Sequence, residues 1–157
     1  MTILSPLLTV EELILLKDND QIILIDASNG KNAKENYKLK HLNQALFVDL
    51  DSQLSGNKTN PVYGGRHPLP STIEFSKTLQ QLGISKKSHV VIYDSNNASN
   101  AAARFWWMLK SIGHQKVQVL DGGFQEAERK DYPINDSVVV PKPTLVFHIE
   151  KWMLPLA

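Results

Sequence analysis

Residues 89–123 constrain the fold more than any other stretch of the chain. They begin with an apolar run of strand length at His89–Tyr93 and continue with apolar residues at helical spacing at Ala101–Ile112. A second apolar run follows at Lys116–Leu120, after a Gly113 that is typical of a helix end. Strand, helix and strand of these lengths predict a βαβ unit. Because sites in parallel sheets lie at the carboxyl ends of strands, we expect any site near residues 94–100.

Two more apolar runs extend the predicted sheet, at Gln21–Ala27 and Ala45–Leu50. The first does not alternate, which is typical of a central strand buried on both faces. Helices are predicted between the strands, and a short last helix is predicted at Phe124–Lys130. This alternation predicts a single α/β domain, with a mainly parallel sheet of four or five strands and helices on both faces.

Two of the predicted helices carry a capping box, in which a Thr or Ser is followed three residues later by Glu. Thr9 with Glu12 opens the first, and Ser71 with Glu74 opens the second. Gly83 follows the second helix and predicts its left-handed end.

The composition removes several classes of function. A chain of 157 residues with net charge +1 does not favour nucleic acid or an anionic membrane as a partner. No stretch is long and apolar enough to cross a bilayer, and no signal peptide is evident, so a cytoplasmic protein is expected. The chain has no cysteine, which excludes disulfides, thiolate metal sites and thiol nucleophiles within it. We predict neither a metal site nor a cofactor.

Three motifs of the central unit carry a family resemblance when they are taken in order. Tyr93-Asp94 ends a strand, RFWWM at Arg104–Met108 lies on the helix, and LDGG at Leu120–Gly123 follows the next strand. Together they resemble the rhodanese family, in particular the N-terminal half of two-domain thiosulfate and 3-mercaptopyruvate sulfurtransferases. The resemblance implies a rhodanese-like fold.

Three further segments extend the likeness: LIDAS at Leu24–Ser28, HLNQALFVDLD at His41–Asp51 and RHPLP at Arg66–Pro70. The resemblance covers residues 7–133, which we predict to be the domain, and it makes residues 134–157 a linker or the start of a missing second domain. One departure is Asn43-Gln44, where the family usually has Pro-Gly.

The resemblance also implies a reaction, namely transfer of sulfane sulfur from thiosulfate or 3-mercaptopyruvate to a thiophilic acceptor such as cyanide or a thiol. In this family the sulfur is carried as a persulfide on a cysteine of the second half. The equivalent position here is Asp94, and a carboxylate cannot carry a persulfide. This chain alone is therefore predicted to be inactive, with Asp94 acting as a stabilising anion at a helix N-terminus.

The same resemblance implies a supporting role for two other residues. In the mercaptopyruvate branch an Asp and a His of the first half take part in proton handling near the cysteine of the second half. By motif these match Asp51 and His67. The implied partners are a second rhodanese domain and a small-molecule sulfur donor.

Two alternatives stay open at the level of sequence. The first is a stand-alone, catalytically silent rhodanese-like module that binds a protein partner or an anion. The second rests on FVDLDSQL at Phe47–Leu54, which resembles the strand-end D-x-D motif of haloacid dehalogenase phosphatases. Ser52-Gln53 departs from that motif, and no later acidic pair for magnesium is evident.

The C-terminal tail is predicted to lie apart from the domain. Pro141 and Pro143 interrupt it, and the apolar residues beyond them show no clean helical stripe. We expect this tail to dangle and to promote association, next to an apolar surface left open by the absent partner. The residues concerned are Leu145, Val146, Phe147, Trp152, Met153 and Leu154.

Overall fold

The computed structural model describes residues 4–55, 69–95, 101–144 and 147–153, except for the side chains of Leu50 and Asp51. Its strands are β1 (Leu7–Leu8), β2 (Ile22–Asp26), β3 (His41–Leu42), β4 (Leu46–Phe47), β5 (His89–Tyr93), β6 (Val117–Leu120) and β7 (Ile134–Asn135). Its helices are α1 (Val10–Leu16), α2 (Ala33–Leu39), α3 (Leu50–Gln53), α4 (Thr72–Leu82), α5 (Ala101–Ser111) and α6 (Gly123–Arg129).

Five strands form one parallel sheet in the order β1-β6-β5-β2-β4. The prediction of an α/β fold with a mainly parallel sheet of four or five strands is confirmed. Strand β2 lies inside the sheet and pairs with β5 along its whole length, from Ile22 opposite His89 to Asp26 opposite Tyr93. Two strands of two residues each, β3 and β7, form a separate antiparallel pair that was not predicted.

Both predicted capping boxes are present. The Thr9 hydroxyl accepts the Glu12 N–H at 3.1 Å, and the Ser71 hydroxyl accepts the Glu74 N–H at the same distance. Helix α4 ends at Gly83, whose φ of 78° lies in the left-handed region where glycine carries no steric penalty. These local sequence signals therefore predicted the starts of both helices and the end of α4 correctly.

The sheet is covered on both faces, and each face has its own apolar cluster. One cluster joins the sheet to α4 and α5 through residues such as Phe75, Phe105 and Met108. The other joins it to α1 and α6 through Leu13 and Ala127. Helices on both faces explain why the central strands are apolar throughout.

Strand β4 is shorter than the predicted run at Ala45–Leu50. Only Leu46–Phe47 pairs with β2, and the Val48 N–H makes a last bond to the Asp26 carbonyl before the chain turns into α3. The Asp49 carboxylate accepts hydrogen bonds from the Ser52 N–H at 3.2 Å and from its hydroxyl at 2.7 Å. Asp49 thus caps a helical turn.

The expectation of a dangling tail is wrong for residues 147–153. Phe147 is only 5% exposed, and its carbonyl accepts a hydrogen bond from the Ser76 hydroxyl on α4. The Trp152 ring packs on Phe75 with the ring centroids 5.1 Å apart, and its indole N–H donates to the Pro70 carbonyl at 3.1 Å. Residues 147–153 therefore pack against α4 and α5 and cover the apolar cluster on that face of the sheet. Leu145, Val146 and Leu154 lie outside the described residues.

Within the described part of the chain, no helix combines the length and hydropathy that a membrane span requires.

Candidate functional site

The candidate site lies at the edge of the sheet where the parallel strands end. Asp26 is the last residue of β2, Asp94 follows β5, and the Gly122-Gly123 turn follows β6. These are neighbouring strands, so the topology brings together the ends of three sequence motifs.

Asp94 joins β5 to two helices. Its carboxylate accepts the Ala102 N–H of α5 at 3.0 Å, and its carbonyl accepts the Phe124 N–H of α6 at 3.0 Å. Burial raises the pKa of Asp94, and the bond from Ala102 opposes that shift. The carboxylate thus caps the first turn of α5, and its expected role as a stabilising anion stays a prediction.

The last residue of the LDGG motif must be glycine for a steric reason. Gly123 has a φ of 62°, and a Cβ atom there would lie 2.4 Å from the carbonyl oxygen of Asp94. The backbone after β6 therefore approaches the backbone after β5 too closely for any side chain at this position.

Asp26 and Ser28 form the buried centre of the edge, each about 5% exposed. The Asp26 carboxylate accepts the Ser28 N–H at 2.8 Å, and the Ser28 hydroxyl oxygen accepts the Ser95 N–H at 2.9 Å. Burial raises the pKa of Asp26, opposed by its hydrogen bonds with Ser28 and reinforced by the charge of Asp94. Two carboxylates thus share this edge, and neither has a salt bridge among the described residues.

The network continues to the β3–β7 pair. The Tyr93 hydroxyl accepts the Leu42 N–H at 3.2 Å, and burial, reinforced by the charge of Asp26, raises the pKa of Tyr93 above its ordinary value. Next to it, the fully buried His41 ring lies within hydrogen-bond distance of two carbonyls, 2.8 Å from Leu42 and 2.7 Å from Ser137. The segment after β7 is thereby held against the same end of the domain.

Arg104 lies on the α5 side of this edge. Its guanidinium donates to the Leu54 carbonyl from Nη2 at 3.0 Å and from Nε at 3.3 Å, and burial lowers its pKa. This contact gives the Arg of the RFWWM motif a positioning role, because it fixes the chain just after α3.

Of the three predicted site residues, the structure describes the side chain of one. Asp94 follows β5 and precedes α5, and its equivalence to the catalytic cysteine stays a prediction. Asp51 is part of α3, but its side chain is outside the description, and His67 lies outside the described residues altogether. Their proton-handling roles stay predictions.

The phosphatase alternative is contradicted by the local geometry. It requires two carboxylates projecting together from a strand end, but β4 ends at Phe47 and Asp51 already belongs to α3. The Asp49 carboxylate is engaged by Ser52 as a helix cap. Among the described residues, no group of three or more His, Cys, Asp or Glu side chains could hold a metal ion.

The sequence reasoning missed Ser28, Ser95 and His41 as members of this network. Ser28 lies two residues after Asp26, which ends β2, and Ser95 directly follows Asp94, the first residue after β5. Polar residues just beyond apolar strands were therefore the available signal. His41 had no local signal, because its contact with Ser137 joins residues far apart in sequence.

A comparison with known protein families shows to which family the chain belongs. The sequence profile of the rhodanese-like domain matches residues 9–130. The chain belongs to the rhodanese-like domain family. The match contains the strand-end motifs and the Gly-Gly turn described above, and it confirms the resemblance read from the sequence.

Curated relatives include sulfurtransferases of animals and plants. The human 3-mercaptopyruvate sulfurtransferase is 33% identical over 126 residues, which are 76% of this chain and 41% of that protein. Thiosulfate/3-mercaptopyruvate sulfurtransferase 2 of Arabidopsis thaliana is 36% identical over 139 residues, 85% of this chain and 39% of that protein. The chain thus spans about two fifths of the length of these relatives, a share consistent with an N-terminal half.

Solved structures agree on the rhodanese fold. The crystal structure of a 3-mercaptopyruvate sulfotransferase from Escherichia coli superposes with a TM-score of 0.79 at 27% identity, over 94% of this chain and 56% of that one. The 3-mercaptopyruvate sulfurtransferase of Leishmania major gives a TM-score of 0.78 at 23% identity, over 96% of this chain and 41% of that one. The second likeness shows the fold alone.

Proposed function

We propose that this rhodanese-like domain is the non-catalytic N-terminal half of a two-domain sulfurtransferase. The whole enzyme would move sulfane sulfur from thiosulfate or 3-mercaptopyruvate to a thiophilic acceptor such as cyanide or a thiol. The observation that carries the proposal is the absence of cysteine, together with a carboxylate at Asp94 that is committed to capping α5. The names and greater length of the curated relatives support it.

The chemistry requires a thiolate that this chain lacks. A cysteine thiolate of the second domain attacks the outer sulfur of thiosulfate or the thiol sulfur of 3-mercaptopyruvate and forms a persulfide. In thiosulfate the S–S bond breaks and sulfite leaves, whereas in 3-mercaptopyruvate the C–S bond breaks and the enolate of pyruvate leaves and is protonated to pyruvate. The acceptor then attacks the outer sulfur of the persulfide, which gives thiocyanate in the case of cyanide and restores the thiolate. A carboxylate is no substitute in this sequence, since it forms no sulfur–sulfur bond.

The contribution of this half would be support for that cysteine. Asp51 and His67 are the proposed proton-handling pair, on the strength of the family resemblance. A histidine suits the task because its ordinary pKa lies near neutrality. Arg104 would help to position the chain after α3, through its bonds to Leu54.

The test combines this chain with a cysteine-bearing rhodanese-like domain, either mixed or joined through the native linker, and measures thiocyanate or pyruvate production. We expect the pair to turn over faster than the cysteine-bearing domain alone. In the pair, Asp51→Asn and His67→Asn should each lower kcat by about 10²-fold. Asp20→Asn, at an exposed position, serves as the matched control. A pair no faster than the second domain alone, with inert variants, would contradict the proposal.

A stand-alone, catalytically silent module that binds a protein partner or an anion is the second candidate, and it too is favoured by the absence of cysteine. The two candidates differ in the size of the native polypeptide. Mass spectrometry of the protein from its source should find a chain much larger than 17.7 kDa if the first proposal holds. A native mass of 17.7 kDa would favour the silent module.

A further inference from the structure

A cleft of about 450 Å³ lies between α2, α6 and the ends of β2 and β5. Helix α2 forms one wall of the cleft, and none of its residues is fully buried. Its volume falls within the range of small-molecule sites. Neither the proposed sulfur transfer nor the packing of the core uses this space.

The floor of the cleft is polar and acidic. Asp26 and Ser28 form it, both almost fully buried, and Ser95 adjoins them. Asp94 lies close enough to Asp26 for its charge to act on that carboxylate. Asp26 is desolvated and forms no salt bridge among the described residues, and His41 is the positively ionisable side chain close enough for its charge to act on it. A charged hydrogen-bond donor placed in the cleft would therefore interact strongly with this carboxylate.

The rim of the cleft supplies one cation and an aromatic surface. Lys40 is the cationic residue among the described lining, and its ammonium group pairs with Glu128 on α6 while lying 5.6 Å from the centroid of the Phe124 ring. That cation is thus held at the mouth and does not reach Asp26. Phe124 and the exposed Leu39 offer apolar contact beside the acidic floor.

We propose that this cleft binds a small organic cation, with a primary ammonium group against Asp26 and an apolar portion against Phe124. The donors of an ammonium group find acceptors in the Asp26 carboxylate, the serine hydroxyls and the Asn36 side chain that line the cleft. An anion of the same size would face the Asp26 carboxylate at the floor. The inference concerns this chain alone and does not depend on a second domain.

Phenethylammonium and 3-phenylpropionate are suitable probes, because both carry a phenyl ring on a short chain and differ in the sign of their charge. Each is titrated into the full chain, and ¹⁵N–¹H spectra report the backbone amides of Ser28, Ser95 and Gln125. We expect saturable shifts at these amides with the ammonium probe and none with the carboxylate probe. Absence of shifts with both probes, or equal shifts with both, would overturn the proposal.

Two variants locate the binding, and each is checked for folding by its own spectrum. Asp26→Asn keeps the shape of the side chain and removes its charge, so binding should weaken about tenfold or more. Ala33→Leu adds bulk to the cleft from α2 and keeps the Asp26 carboxylate, so it should weaken binding even if Asp26→Asn fails to fold. Asp20→Asn is the control and should bind as the natural chain does. Unchanged affinity in Ala33→Leu, or in a folded Asp26→Asn, would contradict the proposed site.

Discussion

At the scale of single residues, Asp26 and Asp94 are the side chains whose environment most departs from that of an exposed carboxylate. Burial raises the pKa of both groups, and each is held by backbone N–H groups that partly offset the cost. The sequence showed that both acids end apolar strands. It could not show that the two carboxylates lie at one edge, because their proximity depends on the order of the strands in the sheet.

The first prediction concerns the pH dependence of stability at Asp26. Because burial raises its pKa in the folded chain above 3.8, the folded state binds the proton more tightly than the unfolded state. Folding therefore gains stability from this group as pH falls through its folded pKa toward 3.8, and loses it as pH rises. Urea unfolding at pH 7, 5.5 and 4 should show the natural chain gaining stability relative to Asp26→Asn as the pH falls.

Glu126 provides a control, because its pKa is shifted in the opposite direction to that of Asp26. Hydrogen bonds from Arg129 lower the pKa of Glu126 to about 2, so its stabilising effect is present above 4.5 and is lost as pH falls toward 2. The natural chain should thus lose stability relative to Glu126→Gln on acidification. Parallel pH profiles for Asp26→Asn and Glu126→Gln would contradict the assignment of these environments.

The second prediction concerns Asp94→Cys. The substitution places a thiol at the proposed equivalent of the catalytic position, but it removes the carboxylate that caps α5 at Ala102. A persulfide also needs a loop whose amides converge on the sulfur. We expect a thiol that reacts with alkylating reagents, a loss of stability of about 1 kcal/mol for the lost cap, and little sulfur transfer. Robust thiocyanate production by this variant would show that the loop is already competent.

At the scale of elements, local signals predicted well and non-local contacts did not. The capping boxes at Thr9 and Ser71 place helix starts because the interacting atoms are three residues apart. Strands β1, β3 and β7 have two residues each and show no periodicity. They form because distant segments meet, as His41 meets Asn135.

The C-terminal segment is a second case in which the sequence did not predict non-local contacts. Its prolines predicted a chain without a helix, and residues 141–144, which form neither helix nor strand, do precede the segment that packs on α4. No pattern within the segment indicated that Phe147 would be buried, since its partners lie on α4 and α5. The lack of helical periodicity predicted a detached tail, although Phe147 and Trp152 pack in the apolar cluster that contains those helices.

The third prediction tests this packing. Phe147→Ala should lower the free energy of unfolding by about 3 kcal/mol, because a buried aromatic side chain is lost from the α4 and α5 face. Val138→Ala, at a residue that is 90% exposed, is the matched control and should change little. A chain ending at Asp136 should melt at a lower temperature than the full chain. Equal melting temperatures for these forms would show that the segment does not stabilise the domain.

At the scale of the whole molecule, the chain is a rhodanese-like domain whose sequence contains no cysteine. The alternation of apolar strands and capped helices was enough to predict the fold class. The candidate site was predicted only in part, because the motifs located Asp94, whereas Ser28, Ser95 and the cleft below α2 emerged from the assembled sheet.

The most direct test of the central claim is the sulfurtransferase activity of residues 1–157 alone. The purified chain is supplied with thiosulfate or 3-mercaptopyruvate and with cyanide, and thiocyanate is measured, with a cysteine-bearing rhodanese-like domain assayed in parallel. We predict no thiocyanate above the buffer rate, because the chain has no thiol to hold the sulfur. Turnover that co-purifies with the chain, and persists after host sulfurtransferases are removed, would contradict the account.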